Sequence, residues 1–284
     1  MDNIYFKNAA KKAKYSGAIG AGTKEDPYMP ISAAFLTEVS KGNIPKHSFV
    51  QKFGTNHAVG TSFVPITLGG IYNMPQPAAA TTLRVKAGNV NDTAAGSGAR
   101  EITLEGLDET GALVTEVLAT AGASASLATT TTFIRLLRFW VSASGTYANI
   151  AGGSHAADIV IENGAGGTDW GTIAILGFPH SQSSIGAYTV PLGYKAYMLD
   201  FGMTNGSSKS FDFIFFKRES ILDAAAPYKS MRLINNGAGI TVPFVKMFPD
   251  AIEFEALTDI VPLAKVAAGT GEITVDINLL LVQD

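Results

Sequence analysis

The sequence predicts an all-β chain: two β-sandwich domains, Ig-like or jelly-roll-like, preceded by an extended N-terminal arm with one short helix. Three observations carry this. Ile273, Val275, Ile277, Leu279 and Leu281 alternate with mostly polar neighbours, the period of a half-buried strand. Further short apolar runs are separated by Gly, Pro, Asn and Ser, the punctuation of sheets rather than helix bundles. A 46% hydrophobic content with 16% charge is that of a folded chain rather than a disordered one.

Residues 1–77 read as a basic anchoring arm. Apolar residues are thin there, and Gly and Pro recur from Gly17 to Pro75. Residues 1–52 hold eight Lys against Asp2, Glu25, Asp26 and Glu38, a net +4, so the rest of the chain carries −7 of the overall −3. A basic leading segment on an acidic body suggests an anionic partner; the alternative is a solvated end. Ser32–Ser40 predicts a short helix, with Ser32 as cap, Phe35 and Val39 on one face, and Gly42 just beyond its end. A helix this short needs a packing partner.

Residues 78–176 predict the first sandwich. Arg100–Glu105 and Leu113–Leu118 flank a turn at Leu107–Gly111 and form a hairpin. Strands follow at Phe133–Val141, Asp158–Glu162 and Thr172–Leu176, the last two joined by the glycine-rich turn 163–167. Residues 177–186 read as a linker crowded with Pro, Ser and Gly. Residues 187–284 predict the second sandwich. Tyr188–Val190 and the strand from Tyr194 flank a Pro191–Gly193 turn. Strands are expected at Phe211–Lys217, Val242–Met247, Ala251–Leu257, Ile260–Lys265 and the chain end. Phe211, Phe213 and Phe215 should face the core, leaving Phe216 on the opposite face as a possible assembly contact.

Catalytic patterns are weak. The chain has no Cys, which excludes disulfides and thiolate metal sites, and His47, His57, His155 and His180 lack zinc-ligand spacing. Ser154 beside His155 would point to opposite faces on a strand and so form no dyad, and the pair reads as part of a loop. Gly96-Ser97-Gly98 lacks the Gly-Lys-Ser/Thr ending of a phosphate loop and precedes a strand, so it reads as a β–β turn. Glu253 and Glu255 share one strand face; paired across a cleft they could cleave a polysaccharide, but alternation alone explains them. Arg135, Arg138, Phe139 and Trp140 are too few for a nucleic-acid surface on an acidic body. No apolar run reaches the roughly 18 residues of a membrane helix, and Lys7, Lys11, Lys12 and Lys14 interrupt any signal-peptide core. No catalytic residue, metal ligand or cofactor site is assigned.

Three segments resemble a widespread family of tailed-bacteriophage virion structural proteins. The first is Gly42-Asn43-Ile44-Pro45-Lys46-His47-Ser48 followed by Lys52-Phe53-Gly54-Thr55-Asn56. The second runs from Asn91 to Arg100 and on through Leu104-Glu105-Gly106-Leu107-Asp108. The third joins Tyr188–Tyr197 to the terminal strand. The resemblance implies a non-enzymatic, homo-oligomeric virion component, assembled in the host cytoplasm and contacting itself and other virion proteins (major capsid, portal or tail), with no nucleic acid or membrane. Its expected place is head-associated, as a decoration or minor capsid protein; the alternative is a collar, tail-adaptor or fibre-base protein. Docking would run through the arm: Lys7, Lys11, Lys12 and Lys14 by charge, and Phe35, Val39, Phe49 and Phe53 by burial. A competing reading is a carbohydrate-binding host-adhesion module with Trp140, Trp170 or Tyr147 as its platform.

Overall fold

The structure is a computed structural model and describes residues 18–19, 29–30, 33–68, 80–146, 153–175, 181–223 and 225–284. In chain order its elements are β1 (Ala18–Ile19), β2 (Met29–Pro30), α1 (Ala33–Ser40), β3 (His47–Val59), β4 (Val64–Pro65), β5 (Leu83–Lys86), β6 (Ala99–Asp108), β7 (Leu113–Ala119) and β8 (Phe133–Ser144). They continue with β9 (Ile159–Asn163), β10 (Asp169–Ile173), β11 (Tyr188–Thr189), β12 (Tyr194–Asn205), β13 (Phe211–Arg218), β14 (Arg232–Ile240), β15 (Phe244–Phe254), β16 (Asp259–Val266) and β17 (Gly271–Gln283). The chain is all-β, as the sequence predicts.

Two sandwiches account for the core. In the first, sheet β10-β9-β5 faces sheet β7-β6-β8 across Val85, Ile102, Leu104, Phe133, Phe139 and Ile161. In the second, sheet β15-β12-β17-β3 faces sheet β11-β16-β13-β14, with β4 added on β16, across Met198, Phe201, Phe213, Phe215, Val275 and Ile277. Phe211, Phe213 and Phe215 are fully buried together. The predicted β6–β7 hairpin forms, closed by Gly111 N–H donating to Asp108 O at 2.9 Å.

The terminal strand sits inside its sheet, between β12 and β3. Its odd-numbered residues from Ile273 to Leu281 fill the second core, while Leu280 is buried on the other face under α1. That explains the run Leu279-Leu280-Leu281: both faces are covered at this end.

The arm reading needs correction. Residues 47–59 form β3, paired along its length with β17 from His47↔Val282 to Val59↔Gly271. Its alternation is hidden because the core-facing positions Lys52, Gly54 and Asn56 are not apolar. Each is accommodated: Lys52 Nζ donates to Leu137 O, Asn56 Nδ2 donates to Pro65 O at 2.9 Å, and Gly54 leaves room for the Ile66 and Gly186 backbones. Buried polar groups with partners are tolerated in a sheet, and periodicity counting cannot see them.

Helix α1 confirms the predicted short helix. Gly42 N–H donates to Val39 O and Asn43 N–H to Glu38 O, with Gly42 at φ 74°, a Schellman end. Phe35 and Val39 are buried against Leu280 on the chain's own sheet, so they are not free to dock a partner as expected. The segment Gly42–His47 is a splice between α1 and β3. Ile44 packs beside the helix, His47 Nδ1 bonds Pro45 O at 2.7 Å, and Lys46 Nζ donates to Asp284 O at 2.7 Å.

Three further expectations change. The described part of the 177–186 segment is built in, not a loose linker: Val141 N–H donates to Ser181 O, Ser183 N–H to Phe139 O, and Ile185 lies in the first core. The strands expected at Val242–Met247 and Ala251–Leu257 are one strand, β15. Met247 pairs Asp200 and Ile252 pairs Met198, so residues 248–251 are an irregularity within one ladder rather than a break between two strands. Finally β14, rich in Asn and Gly and so low in β propensity, is a strand beyond those expected from the sequence.

The sandwiches interlock. Ile134 and Leu137 of β8 reach into the second core, and Val261 and Leu263 of β16 pack on the first. Between them Arg135 is fully buried and forks onto Asp259: Nε to Oδ1 at 2.9 Å and Nη2 to Oδ2 at 3.0 Å. Arg218 adds a second cation on Oδ2, and Thr189 Oγ1 donates to Oδ1 at 2.7 Å.

Candidate assembly surface

Strands β14 and β15 border the second sandwich, one on each sheet, joined by the three residues 241–243. Their inward residues serve the core. Phe244 and Phe248 stack against Phe201 with centroids 5.7 and 6.0 Å apart, and Ile234 and Ile240 pack beneath. Their outward residues are also apolar. Leu233, Val242, Val245 and Met247 are 54%, 65%, 68% and 72% exposed. The preceding segment adds Tyr228 and Met231, both exposed. A single exposed Leu is ordinary, but a projecting segment apolar on both faces marks an interaction surface. Both faces of Phe244-Val245-Lys246-Met247-Phe248 carry apolar side chains, the signal in the sequence that alternation alone passes over.

Phe216, the expected assembly contact, points away from the core and is half-buried beside Leu233, its partner across the β13–β14 ladder. It lies beside Leu233 on the same outer face of the sheet. Of the docking residues expected in the arm, Lys7, Lys11, Lys12 and Lys14 lie outside the described residues. Phe49 is partly exposed on β3. Phe53 is half-buried and lines a cavity of about 260 Å³ between β3 and β8 with Lys52, Arg138, Trp140 and Gln182.

That cavity holds an unusual base. Burial, with Arg138 nearby, pulls the Lys52 ammonium down to about 7. Arg138 itself is forked by Glu105 at 2.8 and 2.9 Å and stands 5.1 Å over the Trp140 ring. Trp170 is in the first core, and Tyr147 lies outside the described residues. Trp170 is therefore core rather than platform, whereas Trp140 is half-buried beside the cavity.

The other candidate chemistries resolve into structure. Lys195 bridges Glu253 and Glu255 at 2.9 and 3.1 Å, holding the Glu253 carboxyl below its ordinary range and raising its own pKa. A general acid needs the reverse shift. Tyr197, beside them, is pushed up to about 12 chiefly by burial. Asp92, at the heart of the second motif, is buried and accepts backbone N–H bonds from Ala99, Ala156 and Ala157 at 2.8 to 3.1 Å. A Cβ on Gly98 would stand 2.1 Å from its Oδ1, so this motif is a turn clamp. Ser154 and His155 bear out the loop reading, and on that loop the two side chains meet. They lie on a loop, not a strand, and Ser154 Oγ is 2.9 Å from His155 Nδ1, but the imidazole is buried away from any substrate. Among the described residues no group of three His, Asp or Glu is placed to hold a metal.

No protein-family model and no curated protein matches the chain. Among solved structures, the D431N mutant VP2 protein of infectious bursal disease virus, from derived T=1 particles, is 11% identical, covering 89% of this chain and 79% of that one, with a TM-score of 0.22. The T13 particle of the same virus gives 9% identity, 87% and 78% coverage, and a TM-score of 0.22. Scores this low carry no argument about ancestry or role.

Proposed function

We propose that the protein is a non-enzymatic structural subunit of a tailed-phage particle, associating with copies of itself and with other virion proteins, and head-associated as a decoration or minor capsid component. The observation that carries this reading is the apolar border formed by β14 and β15. Leu233, Val242, Val245 and Met247 stay in water unless another surface covers them. Two further features support it. The candidate acids, the Ser–His pair and the glycine loop all serve local structure, and the three segments that resemble phage structural proteins turn out to be splices and clamps of a rigid β framework. The basic leading lysines remain the proposed means of steering the chain to an acidic neighbour.

Purified particles tested by quantitative mass spectrometry should contain the chain in many copies per virion. Val245→Lys with Met247→Lys should leave the isolated protein folded and strongly reduce its incorporation. Particles lacking the chain, or full incorporation of the double variant, would sink the reading. A collar or tail location would appear as a copy number matching the portal's symmetry rather than the shell's.

A further inference from the structure

The borders of the sheets differ in how they are guarded. An unpaired strand edge offers a row of N–H and C=O groups to any other strand, and proteins blunt such edges with charge, proline, bulges or covering chain. In the first sandwich, β5 is covered by residues 126–129, with Ser126 N–H donating to Val85 O and Thr129 N–H to Leu83 O. The free side of β8 is covered by residues 181–183, and Glu116 of β7 reaches over to the Thr130 and Thr131 amides. In the second sandwich β11 is two residues long, and β3 is backed by β8 through Lys52. Strand β15 is guarded by its own Lys246 and Pro249 and by the register break between Met247 and Ile252. Strand β14 runs for nine residues with no proline and with Arg232 only at its first position. It has small bulges against β13, yet among the described residues only Gly239 N–H finds a partner off that ladder, the Asp212 carboxylate at 2.8 Å.

The sequence of β14 is complementary to itself. Its first half, Arg232-Leu233-Ile234-Asn235, is bulky; its second half, Gly237-Ala238-Gly239, is small. An antiparallel pair about a two-fold axis near Asn236 lays the bulky half of each strand over the small half of the other. Leu233 then meets the glycine end, where a Cβ on Gly239 would touch nothing within 4 Å. The end charges are already met within each copy, Arg232 by Glu219 and Asp212 by Lys265 and the Gly239 N–H, so neither end brings an uncompensated like charge to the pair. We infer that β14 pairs with β14 of a second copy, continuing the β11-β16-β13-β14 sheet across an isologous two-fold interface. This rests on the self-assembling reading above and names its surface.

The chain has no cysteine, which makes the test direct. Residues opposite each other in an antiparallel pair have Cα atoms about 4.5–5.5 Å apart, within disulfide range. Asn236→Cys, which faces its own counterpart across the axis, should therefore oxidise to a covalent dimer, while Asn235→Cys, which faces Gly237 of the mate, and Met247→Cys on β15 should not. The wild-type chain should sediment at twice its 29.7 kDa mass. Leu233→Asp, on the outer face, should halve that mass with an unchanged circular dichroism spectrum. A monomeric wild type, a dimer that survives Leu233→Asp, or failure of Asn236→Cys to cross-link overturns the β14 interface. The virion reading fails separately, by absence of the chain from particles.

Discussion

Lys52 is the residue whose chemistry depends most on its surroundings. It takes a core-facing position on β3 and gives one hydrogen bond to Leu137 O, with Arg138 and Glu105 facing it from the first sandwich. Burial lowers its pKa to about 7, against an unfolded value of about 10.4. Between those values the unfolded chain binds the extra proton, so this group's contribution to stability rises as pH climbs from 7 to 10; below pH 7 its penalty is complete and constant. Lys52→Met removes that dependence. Its stability relative to wild type, from urea unfolding, should fall by more than about 1 kcal/mol between pH 7 and pH 10. A difference that stays flat with pH would show that the ammonium is solvated. Asp108 and Glu116 act at the acid end. Backbone and hydroxyl donors hold both carboxyls below their ordinary range against desolvation, so their contribution is present above the unfolded pKa and lost as pH falls through the folded one.

At the scale of elements, strands differ in how openly the sequence declares them. Strand β17 is legible because its inward residues are Ile, Val and Leu without exception from 273 to 281. The α1 helix is legible from its end signal, since Gly42 can take the left-handed turn. Strand β3 is not, because Lys52, Gly54 and Asn56 take its inward positions, matched to backbone groups that run from Pro65, nine residues beyond Asn56, to Gly186. Strand β14 is hidden for a different reason: Gly237 answers to packing and Gly239 to a left-handed backbone within the strand. A Cβ on Gly237 would stand 2.4 Å from the Phe213 ring, whereas one on Gly239 meets open space. Gly237→Ala should therefore cost about 1–3 kcal/mol through overpacking. Gly239→Asn, at a left-handed position that Asn tolerates, should stay within about 0.5 kcal/mol. Equal losses at the two positions in denaturant titrations would refute that account.

Across the whole molecule, the buried fork of Arg135 and Arg218 on Asp259 ties the sandwiches together. Asp259→Asn leaves two guanidinium groups at this seam without their anion and should cost about 3–5 kcal/mol. Arg135→Met should cost less, because Arg218 and Thr189 still hold the carboxylate. Wild-type unfolding should be a single transition, and Asp259→Asn should divide it into two; one unshifted transition in the variant would show that the seam contributes little.

What the sequence by itself determined is local: the all-β class, the φ-demanding turns, the hairpin of β6 and β7, the buried face of β13 and the terminal strand. Each depends on side-chain period or on backbone freedom within a few residues. Only the tertiary structure decided that residues 47–59 belong to a sheet, that the helix is spent on the chain's own Leu280, and that the exposed apolar border lies at β14 and β15. These depend on which distant groups satisfy a buried lysine, cover a strand edge or leave it bare, and such partners are separated from it by up to the length of the chain.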